Sequence, residues 1–184
     1  MFTGDDVAAI IGGHAHNKPR NRQKAVGPSS LGTPCQRRLG YMMLDVDKVN
    51  TSDPLAAWIG TAAHAAMEQA LAGDDDWETE IPVELPGYGI RGTCDAYSAS
   101  RRLAVDWKFV APATLKKAKA HGPGDQYRVQ AHTYGLALDM AGRPVDTVAV
   151  AMVPKSGGTL HGIHVWSEPL DHQVVEDALV RYEW

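Results

Sequence analysis

The stretch "GTCDAYSASRRLAVDWKF" (residues 92–109) decides the fold, because it predicts a tight β-hairpin that carries charged side chains. Runs with β-branched and aromatic residues flank the turn signal "SASR", which is typical of paired strands. A symmetric hairpin with its midpoint near residues 100 and 101 places Asp95 directly opposite Asp106. Facing residues of antiparallel strands have Cα atoms about 4.5–5.5 Å apart. The two carboxylates are therefore expected to share one face of a sheet.

Lys108 adds a third charge to this predicted patch. It lies two residues beyond Asp106 and points to the same face, while Trp107 points to the other face and is expected in the core. Two close carboxylates repel each other unless a proton or a cation lies between them. Mg²⁺ and Mn²⁺ prefer such oxygen ligands. The hairpin alone leaves two interpretations open, a metal site or an Asp106–Lys108 salt bridge beside a solvated Asp95.

The segments around the hairpin predict one α/β domain spanning residues 1–184. Strands are expected in "WETEIPVELP", "YGIRGTCDAY", "RLAVDWKFV", "VDTVAVAMV" and "TLHGIHVWS", the last two as a hairpin across "PKSGG". Helices are expected in "TPCQRRLGYMML", "DPLAAWIGTAAHAAMEQALAG", "TLKKAKA", "DQYRVQAHTYGLALDM" and "LDHQVVEDALVRY". Alternation of these elements favours a central mixed sheet flanked by helices on both sides. Residues 1–28 are expected to form an irregular, basic N-terminal arm.

The second predicted helix carries a further candidate ligand. His64 and Glu68 lie four residues apart and share one helix face. The face formed by Leu55, Ile59, Ala62, Ala63, Ala66 and Ala70 has mostly small side chains, so the helix is expected to pack closely on the sheet. Taken alone, His64 also fits a buried core histidine and the His64–Glu68 pair a surface contact.

Composition limits the class of protein. The 184 residues carry a net charge of -4, which argues against indiscriminate nucleic-acid binding. Basic residues nevertheless cluster, and five of them are candidates for DNA binding: Arg37, Arg38, Lys116, Lys117 and Lys119. No apolar run is long enough to cross a bilayer, and the acidic N-terminus lacks the basic region of a signal peptide. With two cysteines in the chain, a reducing, cytoplasmic location is expected.

The ordered set "GTAAHAAMEQAL", "GTCDAY", "VDWKF" and "QAHTYGLAL" resembles the RecB-like nucleases of the PD-(D/E)XK superfamily. That group includes CRISPR-associated RecB-like exonucleases and phage-encoded relatives. Its pattern is a helical His, then Gly-x-x-Asp, then Asp or Glu-x-Lys, then Gln-x-x-x-Tyr on a helix. The matching residues here are His64, Gly92 with Asp95, Asp106 with Lys108, and Gln130 with Tyr134.

The resemblance implies a restriction-endonuclease-like core and a Mg²⁺- or Mn²⁺-dependent hydrolysis of DNA phosphodiesters, in recombination, repair or phage DNA processing. The metal would be held by His64, Asp95, Asp106 and the carbonyl of Trp107. Lys108 would orient the attacking water and stabilise charge on the phosphate. Gln130 and Tyr134 would hold the DNA backbone or support the ligands, and Glu68 would hydrogen-bond around the site or face solvent.

One departure from the relatives concerns cysteine. Some relatives hold an iron–sulfur cluster with four cysteines, whereas no cysteine follows Cys94 here, so no cluster is expected within this chain. Cys35 is then expected to be a small buried residue. Two rival functions stay open at this point: a catalytically inactive DNA-binding module of the same fold, or a metal-dependent enzyme acting on RNA or another phosphodiester. DNA is the expected partner, and homo-oligomers and recombination or replication proteins fit the resemblance.

Overall fold

A computed structural model describes residues 3–16, 26–43, 53–156 and 159–181 of the chain. Within these ranges the helices are α1 (Gly4–His16), α2 (Pro28–Leu31), α3 (Gln36–Met43), α4 (Leu55–Leu71), α5 (Pro112–His121), α6 (Asp125–Met140) and α7 (His172–Val180). The strands are β1 (Trp77–Leu85), β2 (Ile90–Ser98), β3 (Leu103–Val110), β4 (Thr147–Pro154) and β5 (His164–Pro169). None of the helices described here combines the length and apolar character that a membrane span requires.

The five strands form one mixed sheet in the order β1-β2-β3-β4-β5. All neighbouring pairs are antiparallel except β3 and β4, which run parallel and are connected through α5 and α6. Alternate residues of β4 divide between two core clusters, because side chains of a strand alternate between faces. Val148 and Val150 pack with residues of α6, whereas Ala149 and Ala151 pack with Leu71 of α4. The predicted α/β class, a mixed sheet flanked by helices, is confirmed.

The β2–β3 hairpin has the predicted register. Its pairs are Ala96–Val105, Tyr97–Ala104 and Ser98–Leu103. The pairing stops there, one position short of Asp95 and Asp106, although β3 goes on pairing with β4 to its end. The two acidic residues therefore lie where β2 and β3 separate.

A second irregularity lies beside the first. The β1–β2 pairing keeps one register along its whole length but passes over Glu80 and Asp95, and Glu80 has a φ of 50°. Trp77 packs in the cluster on the α4 side of the sheet, yet Ile81 packs in the cluster on the α6 side, although an undisturbed strand would point both the same way. The alternation of side chains in β1 thus reverses at Glu80.

The expected inner face of α4 is wrong. No residue of α4 is fully buried, and Leu55 and Ile59 of its expected inner face are 46% and 40% exposed. Its more buried stripe, which includes Ala63, His64 and Leu71, is rotated around the helix. The reason is that small apolar residues occur all around this helix, so its sequence does not fix which side meets the sheet.

The N-terminal segment also differs from the expectation. Residues 4–16 of the expected irregular arm are helical, and Thr3 and Asp6 cap the helix reciprocally. The N–H of Thr3 donates to Asp6 Oδ2 at 2.7 Å, and the N–H of Asp6 donates to Thr3 Oγ1 at 3.3 Å. The rest of the basic stretch, residues 17–25, lies outside the described residues.

Two local predictions are also corrected. Cys35 is exposed, and Cys94 is the buried cysteine. The β4–β5 hairpin is confirmed as antiparallel, but β5 begins at His164 and not at Thr159, because Leu160–Gly162 form a 3-10 turn before it.

Candidate active site

Asp95 is the central residue at the separation of β2 and β3. Its Oδ2 accepts a hydrogen bond from the main-chain N–H of Trp107 at 2.7 Å, where β2–β3 pairing has ended. Its Oδ1 lies 3.3 Å from His64 Nδ1 on α4. The hydrogen bond with Asp95 raises the pKa of His64 above its ordinary value, against the opposing effect of burial. Asp95 thus holds strand and helix together and keeps a carboxylate oxygen turned toward His64.

Glu80 joins this pair from β1. One ligand atom each from His64, Glu80 and Asp95 all lie within 4.8 Å of one another. An imidazole and two carboxylates at such spacing make a suitable donor set for a divalent cation. Sequence reasoning missed Glu80, whereas it singled out His64 and Asp95. A usable signal was nevertheless present, since a hairpin turning at Gly87–Gly89 places Glu80 opposite Asp95.

Asp106 and Lys108 form a close ion pair on β3. Lys108 Nζ lies 2.9 Å from Asp106 Oδ1 and 2.7 Å from Oδ2, and only the first contact has hydrogen-bond geometry. Asp106 is 1% exposed. Burial raises the pKa of its carboxyl to about 6, and Lys108 offsets part of that effect. Both side chains lie toward α6, because Lys108 Nζ is 5.1 Å from the ring centre of Tyr127.

The structure thus divides the predicted ligand set. His64 lies on the α4 side of β3, where its ring meets Phe109 edge-on at 5.5 Å. Asp106 lies on the other side and is not a member of the His64–Glu80–Asp95 group. Trp107 donates its N–H to Asp95, and its side chain packs in the core cluster on the α4 side, as expected. The ligand roles of Asp106 and of the Trp107 carbonyl stay predictions.

A cavity of about 540 Å³ opens beside Asp95. Five of the predicted site residues line it: His64, Glu68, Asp95, Gln130 and Tyr134. Glu80, which was not predicted, lines it as well. Gln130 Nε2 donates to the Tyr134 hydroxyl at 2.9 Å, and both side chains are nearly buried. Burial also raises the pKa of Tyr134, with the Asp106 charge adding to the effect. The hydroxyl is therefore held as a neutral hydrogen-bonding group.

The glycine of the Gly-x-x-Asp pattern has a steric role. A Cβ on Gly92 would lie 2.8 Å from Pro28 Cδ and 3.5 Å from Tyr134 Cε1. The absent side chain lets α2 and the Tyr134 ring approach β2 three residues before Asp95. The pattern therefore couples a close helix–strand contact to the position of the carboxylate.

The candidate DNA-binding cations lie outside the cavity. Arg37 and Arg38 are exposed on α3, and Lys116, Lys117 and Lys119 are exposed on α5. None of them is among the residues that line the cavity. Their role stays a prediction, because exposed cations of this kind also occur as plain solvated surface.

No protein-family model matches the chain, and no curated protein matches its sequence. Solved structures do match its fold. A phage-related exonuclease from Haemophilus somnus 129PT aligns with a TM-score of 0.61 at 13% identity, over 88% of this chain and 92% of that one. The chain shares the fold of this exonuclease. An alkaline exonuclease from Laribacter hongkongensis has a TM-score of 0.61 at 13% identity, over 88% of this chain and 86% of that one. The same enzyme in complex with dAMP has a TM-score of 0.60.

Proposed function

We propose that the chain is a divalent-metal-dependent DNA nuclease of the RecB-like PD-(D/E)XK type that hydrolyses phosphodiester bonds. The proposal rests on the two contacts of the Asp95 carboxylate. One oxygen lies beside His64 on α4, and the other accepts the main-chain N–H of Trp107 on β3. In the hairpin register Asp95 is opposite Asp106, one position beyond the last pair, Ala96–Val105. Asp95, Asp106, Lys108 and His64 are the residues of the family pattern, and all lie at the separation of β2 and β3.

The residues present suit a divalent cation. His64, Glu80 and Asp95 would hold it, since their ligand atoms are already close together. The buried Asp106 carboxylate is balanced instead by the Lys108 ammonium, which lies 2.7 Å from its Oδ2 on the other side of β3. A bound cation would act as a Lewis acid and lower the pKa of a water molecule. Mg²⁺ and Mn²⁺ are the proposed ions.

The other residues position substrate. The Lys108 ammonium is a point charge of the kind that stabilises a phosphate oxygen. Gln130 and Tyr134 present a neutral hydrogen-bonded pair to the cavity, suited to a sugar or phosphate oxygen. Lys116, Lys117 and Lys119 would bind the DNA backbone farther along. The fold shared with exonucleases, one of them crystallised with dAMP, favours action at a DNA end.

The test is cleavage of end-labelled single- and double-stranded DNA with Mg²⁺, Mn²⁺ or a chelator. We expect metal-dependent release of nucleotides that stops with chelator and is lost in Asp95→Asn. A matched RNA and a circular DNA are included, because cleavage of RNA alone would indicate another substrate and cleavage of the circle an endonuclease. DNA binding without cleavage under any metal would contradict the proposal and indicate a non-catalytic binding module.

A further inference from the structure

Trp58 differs from the other tryptophans that the structure describes. Trp77, Trp107 and Trp166 pack against core clusters. Trp58 is 37% exposed and lines the cavity beside Asp95. Trp58 belongs to none of the core clusters of the described residues, and it borders the same cavity as the candidate catalytic groups. It is a flat apolar surface available to a ligand.

The separation of Trp58 and His64 along α4 indicates the length of a ligand that could contact both. Both residues lie on α4, less than two helical turns apart, or about 9 Å along the axis. Small residues lie between them on the cavity wall, namely Gly60 and Thr61. Thr61 already uses its hydroxyl proton in a 3.1 Å hydrogen bond to the Ala57 carbonyl. The stretch of α4 between Trp58 and His64 is therefore about as long as one nucleotide, and its residues in the cavity lining are small.

The charge of the cavity decides which end of a nucleotide lies at Trp58. The lining residues include three carboxylates, on Glu68, Glu80 and Asp95, and no lysine or arginine among those described. An anionic phosphate is repelled here except beside a bound cation. A neutral base meets no such penalty, and every base has a face that stacks on an aromatic ring.

We infer that this cavity is a nucleobase subsite in which Trp58 stacks on a base of the strand whose phosphate lies at Asp95. The inference rests on the proposed nuclease function for the identity of the strand. Stacking on a single aromatic side chain discriminates little between bases, so the subsite tolerates any sequence. It requires an unpaired base, because a base inside a duplex has no free face to offer.

The first experiment measures binding of deoxyadenosine to the full chain in chelator, by calorimetry. This probe has no phosphate and needs no metal, so the result is independent of nuclease activity. Stacking contributes roughly 1–3 kcal/mol per base, so Trp58→Ala is expected to weaken binding by about 5- to 150-fold. Trp58→Phe is expected to retain most of the affinity. Ile59→Ala is the matched control, since Ile59 is a similarly exposed residue of α4 outside the cavity lining.

The second experiment compares cleavage of single-stranded DNA that carries either normal or abasic nucleotides at its ends. The parent is expected to show a higher KM for abasic ends, and Trp58→Ala is expected to treat both substrates alike. Unchanged deoxyadenosine binding in Trp58→Ala would overturn the subsite even if the protein cleaves DNA. Binding that depends on Trp58, in a protein that cleaves nothing, would uphold the subsite and overturn the nuclease proposal.

Discussion

The Asp95 carboxylate accepts a hydrogen bond from the Trp107 N–H at 2.7 Å and so takes the place of a missing strand–strand contact. The side chain bridges β2 and β3 beyond the end of their main-chain pairing. Asp95 is therefore needed for structure and for the candidate site at once. The two roles can be separated, because only one of them requires a negative charge.

Asp95→Asn and Asp95→Ala are expected to differ in stability but not in metal binding. Asparagine keeps a carbonyl oxygen that can accept the Trp107 N–H, whereas alanine leaves that N–H without its partner, at a cost of about 1–3 kcal/mol. Both variants lose the carboxylate and are expected to lose Mn²⁺ affinity by roughly 10- to 100-fold or more. Denaturant unfolding in chelator and Mn²⁺ calorimetry measure the two effects. Equal stability of the two variants would contradict the structural role of Asp95.

Glu80→Gln is expected to weaken Mn²⁺ binding by more than the roughly 10- to 100-fold that loss of an outer-shell partner causes, because the ligand group loses one of its two carboxylates. Glu84→Gln is the matched control, since Glu84 lies on the same strand and is paired with Arg91 through a 3.0 Å contact. Calorimetry on both variants, at equal ionic strength, distinguishes a local ligand from a general charge effect. The same loss in both variants would contradict a specific role for Glu80.

Glu80→Gly is expected to stabilise the metal-free protein while abolishing the ligand. A non-glycine residue at a φ of 50° carries strain of about 1 kcal/mol that glycine removes. Glu84→Gly is expected to destabilise by about 0.5–1 kcal/mol, as glycine does in an ordinary strand position. Denaturant unfolding of both variants in chelator tests the difference in sign. A loss of stability in Glu80→Gly as large as that in Glu84→Gly would contradict the strain at Glu80.

Lys108→Met is expected to lower DNA cleavage by roughly 100- to 1000-fold, the effect of removing one charge-stabilising donor. It leaves the buried Asp106 carboxylate without its cation, which is expected to cost about 3–5 kcal/mol of stability. The double variant Asp106→Asn with Lys108→Met removes both charges and is expected to regain most of that stability while remaining inactive. Activity that returned with stability in the double variant would show that Lys108 acts only by holding the fold.

Much of this site could be predicted from local sequence. The register of Asp95 and Asp106 follows from a short turn, which fixes opposite residues by counting. The prediction for the long helix with Gln130 and Tyr134 has the observed limits, Asp125–Met140, because the helix stops at "AGRP". Such features depend on neighbours in the chain and need no knowledge of tertiary packing.

Other features depend on tertiary packing and were missed. The prediction of which residues form the inner face of α4 is wrong, because alanines and other small apolar residues occur all around that helix. The sequence pattern therefore does not fix how the helix is rotated about its axis. In the sequence, Glu80 has the pattern of an outward-pointing glutamate of β1. The sequence does not show its positive φ, which reverses the alternation of side chains between the two faces of the strand. The Asp106–Lys108 ion pair was an open alternative, and only atomic positions show that Lys108 lies against both carboxylate oxygens.

Asp76 allows a test of the β2–β3 turn away from the candidate active site. Its carboxylate accepts hydrogen bonds from Ser98 Oγ at 2.7 Å and from the Ser100 N–H at 2.9 Å, and it pairs with Arg101. The Ser98 hydrogen bond is the largest cause that lowers the pKa of Asp76 to about 2. A depressed carboxyl pKa stabilises the folded state above the ordinary value of 3.8, and this contribution is lost as the pH falls toward 2.

Asp76→Asn is therefore expected to be less stable than the parent at pH 7, with a difference that shrinks below about pH 4. Asp75→Asn, an exposed neighbour, is the control and is expected to match the parent across the range. Denaturant unfolding in chelator between pH 2 and pH 7 measures the three proteins. A constant difference at every pH would mean that the carboxylate charge contributes nothing to the turn, and that Asp76 acts there through its shape alone.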